Sequence, residues 1–228
     1  MMSSRVGGKS KRSGELLAQK LYAEGINNVA VTAGYVCPEP RQEFYQYMDA
    51  VNVDLKAFTE RFYHKLTGSH LQEVLETIQY INNETKVWME LTTLLIPGEN
   101  DSEAELNDMT QWIFTHLGPD VPLHFSVFHP DWKMKDKPST QPETVMRARE
   151  IAIENGIHYA YVGNMHDKEG DSTWCYQCGA LLIARDWYDL CYWNLSASGN
   201  CPQCGTHCEG VFEEDSGMWG AQRVSVTM

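Results

Sequence analysis

The sequence predicts an α/β protein in which a partial (β/α) barrel is followed by a C-terminal four-cysteine zinc ribbon. Strand-like apolar runs alternate with single helix-like segments, and this alternation is typical of βαβ units and a parallel sheet. Beyond that region the composition changes and two Cys-x-x-Cys pairs occur. We therefore expect a disordered tail at residues 1–13, the partial barrel at 14–165, and a metal domain with an acidic tail at 166–228.

The predicted barrel strands are short apolar or alternating runs bounded by glycine, proline or polar residues. We expect them at residues 28–33, 50–58, 87–95, 123–128 and 159–162. Right-handed crossovers curl such a series into part of a barrel, and the carboxyl ends of its strands share one mouth. Because ligands bind at that mouth in α/β proteins, the polar residues that follow the strands are candidate site residues.

Helices are expected between these strands, and local signals indicate where several of them begin. The first helix is expected from Glu15, and a short helix is expected at 41–48. Ser69 and Ser102 each begin a capping-box pattern, in which the hydroxyl accepts a hydrogen bond from the backbone N–H three residues later. Residues 140–143 open the last helix of the predicted barrel.

Length and charge exclude several classes of protein. The 228 residues suffice for one medium domain and a small appendage. A net charge of -13 argues against electrostatic binding to nucleic acid, whose phosphates require a basic face. The apolar runs are too short to span a membrane, and the N-terminus lacks the apolar core of a secretory signal. We expect a cytoplasmic protein with no nucleic-acid or membrane partner.

Two opposite charges, Asp54 and Lys56, stand at the end of the predicted strand 50–58. Side chains two residues apart in a strand share one face, so the two charges are neighbours. One interpretation is an ordinary ion pair at a strand end. The other is a ligand site, because a carboxylate beside an ammonium at the carboxyl end of a strand suits a zwitterionic or ribose-bearing molecule.

The cysteine pattern predicts a metal site near the C-terminus. Cys175 and Cys178 form one Cys-x-x-Cys-Gly knuckle, and Cys201 and Cys204 form a second, with a 22-residue spacer at 179–200. Two such knuckles make a tetrahedral site with four cysteine ligands, as in zinc ribbons. We expect structural zinc, with iron as the alternative because rubredoxin-type sites use the same knuckles. Four thiolate ligands leave no open coordination position for catalysis.

The remaining cysteines receive weaker interpretations. Cys201, Cys204 and Cys208 together suggest an iron–sulfur run, but the pairing of the two knuckles accounts for the first two better. Cys208 is then expected to be a spare exposed thiol, and Cys191 a buried apolar filler. A lone cysteine without a basic partner, such as Cys37 near the predicted mouth, gives little support for nucleophilic catalysis.

Several motifs in one order resemble the later barrel segments of radical S-adenosylmethionine enzymes. The more specific resemblance is to the AmmeMemoRadiSam-system subfamily, a group similar to glycyl-radical activases, and it covers roughly residues 14–213. A segment like 159–164 also leads into a pair of cysteine knuckles in those proteins. The motifs that carry the resemblance are Val31-Thr-Ala-Gly-Tyr35, Asp49-Ala-Val-Asn-Val-Asp-Leu-Lys-Ala-Phe58, Glu90-Leu-Thr-Thr-Leu-Leu-Ile-Pro-Gly98 and His124-Phe-Ser-Val-Phe-His-Pro130.

The resemblance implies a set of cofactor contacts. Thr32 and Gly34 match a Thr-x-Gly turn at the adenosylmethionine site. Asp54 and Lys56 match an Asp-x-Lys pair that binds the cofactor's ribose and carboxylate, and His129 matches a histidine beside the adenine and ribose. A carboxylate accepts hydrogen bonds from hydroxyls, and an ammonium pairs with a carboxylate, so these roles are chemically consistent. The activases carry arginine where this chain has a glutamate at position 90, and that contact is not transferred.

The defining cluster motif of the family, Cys-x-x-x-Cys-x-x-Cys, does not occur in this sequence. The chain looks like the C-terminal part of such an enzyme, beginning near the third strand–helix unit. Without the 4Fe–4S cluster there is no electron source for cleaving adenosylmethionine, so we expect no radical chemistry from this chain alone. A missing segment or a cluster-bearing partner protein would have to supply the cluster.

Three functions remain for the sequence. The chain is a portion of a radical enzyme, or a non-catalytic half-barrel and zinc-ribbon module for protein interactions. A nucleic-acid-binding ribbon is disfavoured by the acidic balance. The first two share one expectation: the strand at 28–33 is an edge strand that pairs with a second copy, a cluster-bearing partner or another extended segment. The opposing expectation is a monomer whose edge is covered by the helix at 15–24.

Overall fold

The computed structural model describes residues 8–212. Five parallel strands form the main sheet in the order β1-β2-β3-β4-β5, which is also their order along the chain. Because each strand lies beside the next, the sheet is one continuous arc of a barrel. Its strands are β1 (Val29–Thr32), β2 (Ala50–Asp54), β3 (Trp88–Leu95), β4 (Leu123–Val127) and β5 (Ala160–Gly163).

Helices connect these strands, as the alternation predicts. None of the described helices is long and apolar enough to cross a membrane. The helices are α1 (Gly8–Ala23), α2 (Pro38–Tyr45), α3 (Glu60–Phe62), α4 (Leu71–Glu84), α5 (Glu103–Leu117) and α6 (Pro142–Glu154); a π-helical turn (Tyr63–Thr67) follows α3.

The two faces of the sheet differ in polarity because side chains alternate along each strand. One face is fully buried against the helices and holds Val53, Leu91 and Phe125 at the centre of the core. On the opposite face, the inside of the arc, β3 places half-buried residues at every second position. The inner face is therefore the side of the sheet on which a polar site can form.

A second, antiparallel sheet follows β5. It consists of β6 (Thr173–Trp174), β7 (Leu181–Asp186) and β8 (Asp189–Trp193), in that order. Strands β7 and β8 lie within the spacer between the two cysteine knuckles, and β6 precedes the first knuckle. A small apolar cluster that includes Tyr159, Leu182 and Ile183 forms the core beneath this sheet.

Strand β1 lies at one edge of the main sheet, as expected, and within residues 8–212 it pairs only with β2. Two valines on its inner face are largely exposed, Val29 at 67% and Val31 at 79%. Helix α1 contacts this end of the sheet, since the Asn28 side chain donates a hydrogen bond to the Ala18 carbonyl at 3.0 Å. The helix does not cover the two valines.

The structure corrects two expectations about helix starts. Helix α1 begins at Gly8, so residues 8–13 are helical where a tail was predicted; residues 1–7, like 213–228 of the acidic tail, lie outside the described residues. The capping box at Ser69 is wrong, because α4 starts after His70 and its Leu71 N–H donates to the Glu60 carboxylate at 2.9 Å. A distant carboxylate therefore replaces the local cap.

The capping box at Ser102 is half formed. Its hydroxyl accepts from the Glu105 N–H at 3.3 Å, as predicted. The Glu105 carboxylate, however, accepts a hydrogen bond from the Phe58 N–H at 2.7 Å. Helix α5 is thereby tied to the loop that follows β2.

Candidate functional site

Asp54 is the last residue of β2, and Lys56 follows it at the carboxyl edge of the sheet. The Lys56 ammonium lies 2.7 Å from the Asp54 carboxylate, and about a third of each side chain is exposed (36% and 33%). An ion pair this accessible contributes little to stability, typically below about 1 kcal/mol. The two charges are therefore available to a ligand at little cost in folding free energy.

The backbone that carries Lys56 is held rigidly by buried polar groups. The side-chain amide of Asn100, itself 2% exposed, donates to the carbonyls of Lys56 at 2.6 Å and Leu94 at 2.9 Å. The Thr93 hydroxyl donates to the Leu55 carbonyl at 2.7 Å. Since buried polar groups are costly unless paired, these contacts fix the loop against the end of β3.

Tyr63, in the π-helical turn, supports the same loop from the other side. Its hydroxyl accepts a hydrogen bond from the Lys56 N–H at 3.1 Å. Burial raises the pKa of Tyr63 to about 12, so the phenol stays neutral at physiological pH. The sequence patterns did not predict the π-helical turn, although such turns are frequent at functional sites.

The turn after β1 contains Thr32 and Gly34. The Gly34 N–H donates to the Thr32 hydroxyl at 3.2 Å, and Gly34 has a φ of +70°. A Cβ added to Gly34 would lie 2.9 Å from Val53, so this position requires glycine for both conformation and space. Thr32 is paired with Val53, whose side chain faces the helices, so the Thr32 side chain lies on the opposite face of the sheet from Asp54. Thr32 shapes the turn.

His129 follows β4 and is exposed. Strand β3 separates β2 from β4, and all three are parallel, so His129 lies at the same edge of the sheet as Asp54 and Lys56. The described residues give His129 no hydrogen bond to either of them. Their convergence on one ligand remains a prediction.

A polar layer on the inner face was not predicted from the sequence. The Glu90 carboxylate accepts hydrogen bonds from the His124 Nε2 at 2.8 Å and the Trp88 Nε1 at 3.3 Å. The His124 ring stacks on Tyr161, with centroids 5.0 Å apart. Although burial opposes ionisation, hydrogen bonds from His124 and Trp88 and the electrostatic influence of the His124 and Arg185 side chains hold the pKa of Glu90 below its usual range.

The antiparallel sheet reaches this layer through Thr173 and Arg185. The Tyr161 hydroxyl lies 2.9 Å from the Thr173 hydroxyl, and Arg185 Nη1 donates to the same hydroxyl at 2.8 Å. The Arg185 guanidinium also lies 5.7 Å from the Tyr161 ring centre. The sequence indicated which strand residues share a face. It could not indicate that Tyr161 of β5 lies near Arg185 of β7, because this contact depends on how the two sheets pack.

The four predicted metal ligands lie together. The sulfur atoms of Cys175, Cys178, Cys201 and Cys204 are all within 4.8 Å of one another, and two of the separations are 3.6 and 3.7 Å. A tetrahedral zinc site with Zn–S bonds of about 2.3 Å has sulfur–sulfur edges of about 3.8 Å. The donor set and its spacing therefore fit a four-coordinate metal.

The two knuckles have the same backbone geometry. The N–H of Gly179 donates to the Cys175 carbonyl, and the N–H of Gly205 donates to the Cys201 carbonyl, both at 2.8 Å. These glycines have φ angles of +71° and +79° with open space around them, so they are required for conformation only. The Tyr176 ring in the first knuckle stacks on His158, with centroids 3.6 Å apart, and joins the knuckle to the barrel.

The expectations for the other two C-terminal cysteines were reversed. Cys208 is 2% exposed and packs in the small core, where burial raises the pKa of its thiol. Cys191 is exposed on β8. The sequence did not show that the face of β8 that carries Cys191 is exposed to solvent. It also did not show that the segment after the second knuckle folds back onto Tyr159, whose hydroxyl accepts a hydrogen bond from the Glu209 N–H at 3.0 Å.

The fold is a partial (β/α) barrel of the radical S-adenosylmethionine type, followed by a four-cysteine ribbon. A domain of pyruvate-formate lyase-activating enzyme from Bacteroides vulgatus matches it with a TM-score of 0.58 and 17% identity, covering 69% of this chain and 96% of that one. A radical SAM methyltransferase from Sphaerobacter thermophilus matches with a TM-score of 0.51 and 17% identity, covering 69% of this chain and 46% of that one.

Two proteins are similar to this chain in sequence. The protein MJ0808 of Methanocaldococcus jannaschii is 40% identical over 182 residues, which cover 79% of this chain and 54% of that protein. The chain thus spans about half the length of this relative. A stretch of 43 residues is 65% identical to a protein-L-isoaspartate O-methyltransferase of Colwellia psychrerythraea and covers 19% of each chain. No protein-family profile matches the chain.

Proposed function

We propose that this chain is the C-terminal barrel portion of a radical S-adenosylmethionine enzyme of the AmmeMemoRadiSam type, inactive until a cluster-bearing polypeptide joins it. The observation that carries the proposal is the accessible Asp54–Lys56 pair on a rigid loop at the carboxyl edge of a radical-SAM-type sheet. The fold alone does not assign this activity. The Asp54–Lys56 pair adds the functional evidence, because its two charges match the polar groups of the cofactor.

Each residue at the sheet edge has a role in the proposed cofactor site. The Asp54 carboxylate accepts hydrogen bonds from the ribose hydroxyls, and the Lys56 ammonium pairs with the cofactor's carboxylate. His129 lies beside the adenine and ribose, and the Thr32–Gly34 turn supports the backbone next to them. In this class of enzyme an iron–sulfur cluster supplies the electron that cleaves the cofactor.

The cluster-bearing polypeptide is proposed to join at β1. Among residues 8–212, β1 pairs on one side only, and a neighbouring strand would cover its other side together with the exposed Val29 and Val31. The longer relative from Methanocaldococcus jannaschii is consistent with additional protein in such a system. Reading the genomic DNA immediately upstream for Cys-x-x-x-Cys-x-x-Cys tests this part; its absence there and in co-purifying proteins would contradict it.

The cofactor site is tested by NMR titration with S-adenosylhomocysteine, which retains the ribose and the carboxylate. We expect weak binding with shifted amides at 32–34, 54–56 and 129, because the contacts to the amino group and the cluster are missing. Asp54→Asn should abolish the shifts, whereas Glu76→Gln, on the exposed face of α4, should not. Shifts confined to other regions would refute the site. Micromolar affinity, about 8 kcal/mol, would show that this chain needs no partner for binding.

A non-catalytic interaction module is the second candidate. The exposed apolar edge at β1 favours it equally, since the edge calls for a partner but not for a cluster. Iron and adenosylmethionine content of the purified complex separates the two functions. A partner complex without either component would favour the interaction module.

We further propose that the ribbon metal is zinc and that the protein is cytoplasmic. The four-thiolate set and the sulfur separations support zinc, and iron fits the same geometry. Metal analysis of protein purified without added metal distinguishes them. One zinc per chain is expected, whereas iron with a visible absorption band would correct the assignment.

A further inference from the structure

A cavity of about 1430 Å³ lies between the inner face of the main sheet and the antiparallel sheet. Its polar wall comes from the layer described above, including Glu90, His124 and Arg185, and its apolar walls include the rings of Trp88 and Trp193. The volume exceeds the range of about 300 to 1,000 Å³ that is usual for small-molecule sites. The proposed cofactor residues Asp54, Lys56 and His129 are not among those that line it.

Arg185 is the unusual member of this wall. Its guanidinium donates through Nη1 to two neutral oxygens, the Thr173 hydroxyl at 2.8 Å and the Asp171 carbonyl at 3.3 Å. Among the salt bridges of residues 8–212, none involves Arg185. A guanidinium has five donors, so Nε and Nη2 remain available after these two contacts.

The three carboxylates that line the cavity, those of Glu90, Asp171 and Glu209, form no ion pair with Arg185 within 4.0 Å. Both Glu90 oxygens are already engaged, one by His124 and one by Trp88. The chain has a net charge of -13, so acidic residues are plentiful, yet this partly buried arginine has no acidic partner within 4.0 Å among those bridges. A planar fork of free donors in a cavity is suited to a planar anion, which it binds through two parallel hydrogen bonds.

We propose that this cavity binds an aromatic carboxylate, with the carboxylate on Arg185 and the flat apolar body between the Trp88 and Trp193 rings. The carboxylate belongs either to a small molecule or to the C-terminus of a polypeptide with an aromatic residue. The chemistry of the two sources is the same at Arg185. This site does not depend on the proposed radical function, because it uses neither the sheet-edge residues nor a cluster.

The first probe is 2-naphthoate, compared with neutral 2-naphthamide of the same shape. Calorimetry of the metal-loaded chain should show that the carboxylate binds at least about tenfold more tightly than the amide, a difference of about 1.4 kcal/mol. NMR should show contacts between the probe and the Trp88 or Trp193 ring protons. Equal affinities, or probe contacts only at the exposed β1 edge, would overturn the proposal.

Variants separate ligand binding from a bracing role of Arg185. Arg185→Met should remove the preference for naphthoate, and Arg185→Lys should keep part of it because the positive charge remains. Arg147→Met is the matched control, since this half-buried arginine does not line the cavity and is paired with three glutamates. Loss of preference in the control, or its persistence in a folded Arg185→Met protein, would contradict the site. If Arg185→Met fails to fold, the site is tested by two other measurements: the naphthoate preference of Arg185→Lys, and the NMR contacts between the probe and the tryptophan rings of the wild-type protein.

A second pair of probes distinguishes the two sources of the carboxylate. A tripeptide ending in phenylalanine is tested with a free C-terminus and with an amidated one. If the tripeptide with a free C-terminus binds about tenfold more tightly than the amidated one, the ligand is a polypeptide. If naphthoate binds but neither tripeptide does, the ligand is a small molecule. Failure of all carboxylate probes to bind better than their amides would overturn the proposal.

Discussion

The cysteine ribbon has all the groups that its predicted site needs, whereas the β1 edge of the barrel does not. Within the ribbon, four thiols already stand at the separations that a tetrahedral metal requires, and two matching knuckles hold them. At the barrel edge, one charged pair is in place, but within the described part of the chain β1 pairs only with β2 and carries two exposed valines. One site is built by two matching local turns, whereas the other, as we propose above, is completed by a neighbouring strand.

The largest effect is expected from removing a ribbon ligand. Cys201→Ser should reduce bound metal from one equivalent per chain to almost none and unfold the region after β5, because metal binding free energy is folding free energy in small ribbons. Metal analysis and limited proteolysis measure this outcome. Cys191→Ser, at an exposed thiol outside the set, should change neither. Unchanged metal content in Cys201→Ser would show that these four cysteines are not the metal ligands.

The loop that carries Lys56 should be sensitive to Asn100. Asn100→Ala removes three hydrogen bonds and leaves the carbonyls of Lys56 and Leu94 and the N–H of Ile96 without this partner. We expect the free energy of unfolding to fall by about 2 to 4 kcal/mol, since each unpaired buried group costs about 1 to 3 kcal/mol. Urea unfolding measures it, with Asn83→Ala, at an exposed position of α4, as the control. A loss below about 1 kcal/mol would mean that the loop is not rigidly held.

Two glycines test how tightly the turn after β1 is packed, because they have similar φ angles but differ in the space around them. Gly34 and Gly25 have φ angles of +70° and +72°, but only at Gly34 would a Cβ meet a neighbour, Val53 at 2.9 Å. Substitution by alanine costs about 1 kcal/mol for conformation at either position. Gly34→Ala should therefore destabilise the protein by about 1 to 3 kcal/mol more than Gly25→Ala in urea unfolding. Equal losses would show that the turn relaxes.

The smallest effect concerns Glu90 and pH. Its pKa is lower in the folded protein than in the unfolded chain, because hydrogen bonds and positive charges together outweigh burial. The unfolded state therefore binds the proton first, and stability from this group is present above about pH 4.5 and is lost as pH falls below that value. Glu90→Gln should flatten the stability profile in this acidic window relative to wild type. Parallel profiles for the two proteins would contradict the effect.

Much of the barrel could be predicted from sequence because its signals are local. Alternation indicated five strands within a few residues, and the Cys-x-x-Cys-Gly spacing identified the ribbon ligands. The Glu90–His124 contact could not be predicted in this way, because the two residues are 34 positions apart and meet only through the register of β3 and β4. Burial of Cys208 likewise depends on how the segment after the second knuckle packs against Tyr159.

The helix starts show where a local signal fails. At Ser102 the hydroxyl accepts from the backbone N–H three residues later, as the local pattern predicts. The same pattern at Ser69 is overridden by Glu60, which accepts from the Leu71 N–H and contacts His70. A carboxylate at a helix N-terminus is favoured over a hydroxyl by the helix dipole. Glu60 lies in α3, and the π-helical turn between Glu60 and Leu71 was not indicated by the sequence pattern.

The central claim, that the barrel edge is completed by a neighbour, is tested most directly on β1. Light scattering of the freshly purified chain, combined with amide hydrogen exchange at residues 28–33, measures association and edge protection together. The account predicts either an oligomer or fast exchange of the β1 amides that point away from β2, while the β2 amides stay protected. A monodisperse monomer in which amides 28–33 all exchange slowly would contradict it.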